Sequence, residues 1–253
     1  MSAKINIRFH QELNAFLQPV QRKTSFDLEL KKARSVKDLI ESIGVPHTEV
    51  ELIFVNDKSV DFNYQVQAGD HISVYPTVKS LDFSPHKSSL RHCQAKPLDP
   101  PVFILDVHLG RLAAYLRMLG FDTLYRNDYD DPELANISAS ENRILLTCDR
   151  RLLMRKQVNY GYFVRARQPQ QQIVEILVRF DLYDKQKPFS RCMFCNGKTR
   201  PVNKQQIESR LLPKTKQYFD KFYQCQSCDK IYWQGSHYLK MQELINKIKV
   251  AAG

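Results

Sequence analysis

The sequence predicts an α/β fold: a parallel sheet flanked by helices, with a small α+β unit before it and a cysteine-rich unit after it. Three observations carry this expectation. Residues 101–184 alternate short apolar runs with helical periodicities, the pattern of a parallel sheet covered on both sides. Residues 1–78 hold period-two strands around one amphipathic helix. Residues 185–253 carry two CxxC pairs, Cys192/Cys195 and Cys225/Cys228, with 29 residues between them.

In the first unit, Ile5, Ile7 and Phe9 alternate with polar residues, and Phe26, Leu28 and Leu30 do the same, giving two half-buried strands. Ser35 caps a helix whose Val36, Leu39 and Ile40 share one face and which ends near Gly44. Strands at residues 52–55 and 71–75 follow, bounded by the turn signals Asn56-Asp57 and Gly69-Asp70. Two strands, a helix and two more strands make a β-grasp sheet. Residues 79–100, with Ser, Pro, His and Lys and no apolar period, read as a linker.

The second unit opens on the apolar run 102–105. A helix with Leu112, Leu116 and Leu119 on one face stops at Gly120, and residues 123–125 form a strand. Asp131-Pro132 starts a helix, with Asp capping and Pro in the first turn. Residues 143–147 are a second buried strand, 149–155 a short helix and 162–164 another strand. Pro169 opens a last helix with Ile173, Ile176, Leu177 and Phe180 on one face.

A CxxC turn presents two thiolates from one loop, and a second such turn completes a closed tetrahedral zinc site with no open position for water. Asn196-Gly197 and Asp229-Lys230 supply tight turns after the two pairs. A redox pair or a disulfide is the alternative. Two matched pairs, in a chain whose start lacks the basic-then-apolar pattern of a secretory signal, point instead to structural zinc. Thiols and zinc ligands fit a reducing compartment, the cytoplasm. Cys93 and Cys148 are far apart in sequence and expected to be unpaired. No apolar run approaches the ~18 residues of a membrane span, so no membrane partner is expected.

The net charge of +11 is unevenly spread. Residues 1–85 carry −1, residues 86–100 carry +2, residues 101–184 are neutral, and residues 185–253 carry +10. A basic module with interleaved aromatics (Tyr218, Phe219, Phe222, Tyr223, Tyr232, Trp233) is the footprint of a nucleic-acid partner. Most of those rings are expected to be core, because so small a unit needs them; a solvated basic face is the plainer account of the charge.

Functional groups of open α/β sheets gather beyond the carboxyl ends of the strands. Asp106 directly follows Phe103-Ile104-Leu105, and Asp149 follows Ile144-Leu145-Leu146. Between them lie Asp128, Asp130, Asp131 and Glu133, after the middle strand. Converging carboxylates repel unless a hard cation such as Mg2+ or Mn2+ sits among them, and such a site suits phosphodiester hydrolysis. Helix capping is the competing role for each single aspartate, Asp131 and Asp149 above all. Asp106 resists it best.

The residues here carry a resemblance. The stretch Asp106-Val107-His108-Leu109-Gly110-Arg111-Leu112-Ala113-Ala114-Tyr115-Leu116-Arg117-Met118-Leu119-Gly120 resembles the opening of the PIN-like carboxy-terminal ribonuclease family named after the mutator-seven exonuclease. Asn142-Arg143-Ile144-Leu145-Leu146-Thr147-Cys148-Asp149-Arg150-Arg151 is similar to its second motif, and Ser190-Arg191-Cys192 with Tyr232-Trp233-Gln234-Gly235 to its zinc-ribbon tail. The likeness covers residues 102–241. It implies a metal-binding acidic centre at Asp106, Asp131 and Asp149. Cys148 stands where an arginine is common in the family, a departure that touches phosphate binding more than metal binding.

Residues 54–58 and 68–76 also look like the ubiquitin-like sulfur carriers of thiamine and molybdopterin synthesis. Those end in a free Gly-Gly, whereas this chain runs on through Thr77-Val78-Lys79. The family includes a variant preceded by a ubiquitin-like domain.

The expected organisation is a ubiquitin-like β-grasp domain over 1–78, a linker over 79–100, a PIN-like nuclease domain over 101–184, and a zinc ribbon with a C-terminal helix over 185–253. The expected activity is metal-dependent hydrolysis of single-stranded or flexible RNA. Asp106, Asp131 and Asp149 would hold Mg2+ or Mn2+, with Thr147 as supporting hydroxyl, and Cys192, Cys195, Cys225 and Cys228 would hold structural Zn2+. RNA would be positioned by the basic zinc ribbon, and a protein partner would dock on the β-grasp domain. The alternative is an RNA-binding adaptor with a decayed nuclease site.

Overall fold

Strand β1 (Ala3–Phe9) sends Ile5, Ile7 and Phe9 into a core at 0–2% exposure while its polar residues face outward, as its alternation requires. In the computed structural model, which describes residues 3–76, 90–94, 99–188 and 190–252, β1 pairs antiparallel with β2 (Ser25–Leu30). The connection holds a 3-10 helix, Gln11–Phe16, for which the sequence has no clear signal. Helix α1 (Val36–Ile43) begins where Ser35 accepts from the Asp38 N–H at 3.1 Å and ends at Gly44, φ 105°.

Strands β3 (Leu52–Val55), β4 (Lys58–Val60) and β5 (His71–Tyr75) complete a five-stranded sheet ordered β2-β1-β5-β3-β4, with β1 and β5 parallel. The turn at Asn56-Asp57 has both residues at positive φ. Buried Asp70 accepts from Asn56 Nδ2 at 3.0 Å and the Gln67 N–H at 2.8 Å, which ties both turns of the sheet together. Leu39, Ile40, Ile53 and Val74 close the core at 0% exposure, each burial worth about 1.5–3 kcal/mol.

The chain gathers into two compact units, residues 1–97 with 131–163 and residues 98–130 with 164–253. Within the expected linker, the Cys93 N–H bonds to the Glu51 carbonyl at 2.8 Å and the Arg91 N–H to Ser59 Oγ at 2.9 Å. The rest of that linker, 79–89 and 95–98, lies outside the described residues.

The first unit also contains α3 (Asp131–Ser140), β8 (Ile144–Thr147), α4 (Arg150–Leu153) and β9 (Gly161–Phe163). Strands β8 and β9 are parallel, with Thr147 opposite Phe163. In the second unit β6 (Phe103–Leu105) and β7 (Thr123–Leu124) are parallel, joined by α2 (Gly110–Met118), and α5 (Pro169–Arg179) packs beside α2. The fold is thus mixed α/β, with parallel strand pairing flanked by helices, as expected.

The helix expected over 149–155 is a single turn, because Asp149 is its cap and Met154 already ends it. The cysteine-rich segment forms an antiparallel sheet β10 (Thr199–Val202), β11 (Phe222–Cys225), β12 (Ile231–Trp233), with short helices α6 (Lys204–Ile207) and α7 (Pro213–Tyr218). Helix α8 (Ser236–Ala252) packs beside α5 and buries Ile245; the side chains of His237, Met241, Leu244 and Ile248 lie outside the described residues.

Candidate metal centre and nuclease site

The two CxxC turns fold alike. In the first, the Cys192 N–H bonds to the Gly197 carbonyl at 2.8 Å and the Cys195 N–H points at the Cys192 sulfur at 3.4 Å. In the second, the Cys225 N–H bonds to the Lys230 carbonyl at 2.9 Å and the Ser227 N–H points at the Cys225 sulfur at 3.3 Å. Asn196 (φ 65°) and Asp229 (φ 56°) adopt the left-handed turn that closes each. Gly197 is required by close approach, since a Cβ there would stand 2.5 Å from Ser227 Oγ.

All four sulfurs lie within 4.8 Å of one another, with Cys192–Cys228 and Cys195–Cys225 at 3.5 Å. A tetrahedral ion with Zn–S bonds of about 2.3 Å sets its sulfurs about 3.8 Å apart, so the donor set and spacing fit zinc. Burial alone would push the Cys192 thiol up; the Tyr232 hydroxyl, 3.0 Å from its sulfur, and the N–H groups of Cys195 and Phe194 outweigh it and bring it down to about 6.

Four side chains, Arg117, Asp122, Arg191 and Asn196 of the turn itself, fix the first knuckle to the β6–α2–β7 segment. Arg117 of α2, 5% exposed, donates to the carbonyls of Thr123 (2.8 Å), Phe194 (2.8 Å) and Met193 (3.3 Å). Burial pulls this guanidinium below its ordinary value, opposed by the negative charge of Cys192, Cys195 and Asp122. Asn196 accepts from the Thr123 N–H at 3.0 Å and donates to Asp122 at 2.9 Å, and Asp122 pairs with Arg191 at 2.7 Å. Gly120 (φ 92°) turns here, and a Cβ on it would meet the Lys187 carbonyl at 2.1 Å. Sequence reasoning missed this network. The available signal was Arg117 itself, a charged residue one position after Leu116 on the face that Leu112, Ala113 and Leu116 bury.

The knuckle also presents a ring that sequence reasoning passed over. Phe194 is 65% exposed, and Lys230 from the second knuckle sits 3.4 Å from its ring centre. Of the six aromatics singled out, Tyr218 alone is exposed and Phe222 is fully buried. Lys216 is paired with Glu208 and Lys204 with Asp220, each at 2.7 Å, while Lys214 and Lys221 are exposed.

Asp106 belongs to the second unit, while Asp131, Thr147 and Asp149 belong to the first. Asp106 follows β6, is 7% exposed, and makes no capping bond to the turn after it. Thr147 is fully buried at the end of β8, and its Oγ1 accepts from the Asp149 N–H at 2.9 Å. Asp149 caps α4, accepting from the Arg151 N–H at 2.7 Å. Asp131, about half exposed, opens α3 and lies 3.7 Å from Arg155. In the neighbouring acidic cluster, hydrogen bonding from Arg126 holds Asp128 below the usual carboxylate range. These donors are hard oxygens, the ligands that Mg2+ and Mn2+ take.

Residues 101–245 match the family model described as the Mut7-C RNAse domain, and residues 2–82 match the one described as Mut7-C ubiquitin. No curated protein and no solved structure matches the chain. Among the described residues, no helix is long and apolar enough to cross a membrane.

Proposed function

The chain belongs to the Mut7-C ribonuclease family, and from that premise we propose that it hydrolyses phosphodiester bonds of single-stranded or flexible RNA with a divalent cation, in the cytoplasm. The RNAse-domain match carries this proposal, because residues 101–245 span all three acids and all four cysteines. Asp106, Asp131 and Asp149 would hold Mg2+ or Mn2+. Such an ion, once bound, activates water and stabilises the leaving oxygen. The Thr147 hydroxyl supports the turn that presents Asp149.

The zinc ribbon would position RNA. Phe194 on a rigid knuckle offers a ring on which an unpaired base can stack, and Lys214, Lys221 and Lys230 offer positive charge to the phosphates. A protein partner for the β-grasp domain is proposed only for surfaces of that domain not already occupied within the chain. The adaptor alternative rests on Cys148, exposed beside Asp149 where the resemblance leads one to expect an arginine. Incubating the zinc-loaded chain with a labelled unstructured oligoribonucleotide and Mn2+ separates the two: cleavage supports the ribonuclease, and tight binding without cleavage supports the adaptor.

A further inference from the structure

The β-grasp domain reaches both sides of the turn that presents Asp149. On one side, Arg150 Nη1 donates to the Phe16 carbonyl at 3.0 Å, and its guanidinium lies 5.3 Å from the Phe16 ring centre and 6.0 Å from that of Phe163. Phe16 and Phe163 meet edge to face at 5.3 Å. On the other side, the Phe163 N–H donates to buried Glu49 at 2.6 Å, and Phe163 is the β9 residue opposite Thr147.

Neighbouring residues make the join close. His47 Nε2 lies 2.9 Å from the Val158 carbonyl while its Nδ1 meets Glu41 at 2.6 Å. The packing at Gly161 is tight, since a Cβ would stand 2.6 Å from Leu153 Cδ2, which would have to shift, and 3.3 Å from Thr48. Phe16, His47, Thr48 and Glu49 are all buried. A domain tethered only to recruit partners has no need of a buried carboxylate bonded to a strand of its neighbour.

We propose that the β-grasp domain acts within the chain as a positioning element for the Asp149 turn, through Arg150 and Phe163. Arg150 is a positioning residue. Its planar fork serves the Phe16 carbonyl and two rings, which fixes the first residue of α4 and with it the Asp149 cap. The catalytic consequence rests on the ribonuclease reading; the positioning itself does not.

The test uses the full chain with Arg150→Met, which keeps the aliphatic stem, and Arg150→Lys, which restores charge and one donor. Hydrogen exchange at the amides of Asp149 and Arg151, bonded to Thr147 Oγ1 and Asp149 Oδ1, reads the turn directly. Arg150→Met should exchange there about tenfold faster, the effect expected when a charge-assisted hydrogen bond and its cation–ring attraction are removed. By the same reasoning kcat should fall by a similar factor at unchanged KM, with Arg150→Lys intermediate. Unchanged exchange overturns the proposal, as does a raised KM at unchanged kcat, which would put Arg150 on the RNA. Faster exchange in a chain whose wild type cleaves nothing keeps the positioning role and rejects the ribonuclease. If Arg150→Met does not fold, Arg150→Lys and Glu49→Gln carry the same exchange measurement.

Discussion

Arg117 Nη1 donates to the Phe194 carbonyl at 2.8 Å, so a buried cation on helix α2 closes the first CxxC turn from outside. The same guanidinium holds Thr123, so one side chain links a strand, a helix and a CxxC turn of the second unit. Arg117→Met should therefore remove the donor from one buried and two part-buried carbonyls, those of Thr123, Phe194 and Met193, and cost roughly 3 kcal/mol. In a chain of this size that lowers the thermal midpoint by about 6–12 °C, measurable by circular dichroism. An unchanged midpoint would show that these bonds add nothing to stability.

Zinc should be present at about one ion per chain, the capacity of one four-thiolate site. Elemental analysis of the purified protein checks this, and replacing Cys192, Cys195, Cys225 and Cys228 with serine should remove it. Chelation should also loosen the β10–β12 sheet, because binding energy in such sites is folding energy. Full zinc content in the serine variant would defeat the assignment.

The remaining two cysteines should differ sharply in reactivity. Burial first, then the carboxylates of Glu51 and Asp61, push the Cys93 thiol up to about 12, whereas Cys148 is exposed. The neutral Cys93 thiol is favoured in the fold, so its contribution to stability is complete below the unfolded value of 9.0 and is lost as pH rises towards 12. Timed alkylation of the zinc-loaded protein at neutral pH should modify Cys148 quickly and Cys93 slowly; equal rates would contradict this.

RNA binding through the zinc ribbon should depend on salt. Replacing Lys214, Lys216 and Lys221 together should weaken binding and flatten the slope of log K against log salt. On single strands the slope should fall by about 0.7 for every phosphate that the protein no longer neutralises. Since Lys216 is already paired with Glu208, Lys214 and Lys221 should account for most of the change. Phe194→Ala should weaken binding at all salt concentrations without altering the slope, the mark of stacking over charge. A slope untouched by the triple replacement would leave the +10 segment as a solvated face.

What could be read in advance was local. Ser35 and Gly44 mark a helix because a cap and a left-handed turn are properties of adjacent residues, and the CxxC spacing states its own geometry. Strands β10, β11 and β12, three or four residues each, are too short to display a period. The ties that position the sites are distant: Arg117 and Phe194 are 77 residues apart, Arg150 and Phe16 134. Nothing in either neighbourhood announces its partner. Asp149 shows the limit from the other side, since its capping bond is real and does not exclude metal binding by its second oxygen.

The catalytic acids can be tested without disturbing the fold. Asp149→Asn keeps the cap on α4, because asparagine caps as well as aspartate, while removing a negative charge from the proposed cation site. Asp106→Asn likewise removes a negative charge, at a buried position whose side chain makes no capping bond to the turn that follows. Either change should lower kcat by at least about a hundredfold, equivalent to roughly 2.7 kcal/mol of transition-state stabilisation, with thermal midpoint and RNA affinity nearly unchanged. Asp131→Asn should do less, since Asp131 is half exposed and already near Arg155, and Asp130 and Glu133 flank it. EDTA should stop the wild-type reaction and Mn2+ restore it, with zinc measured alongside so that loss of the four-cysteine site is not mistaken for loss of the catalytic cation. Cleavage that survives both Asp106→Asn and Asp149→Asn would move the chemistry away from these strand ends and remove the physical basis for a catalytic cation held by them.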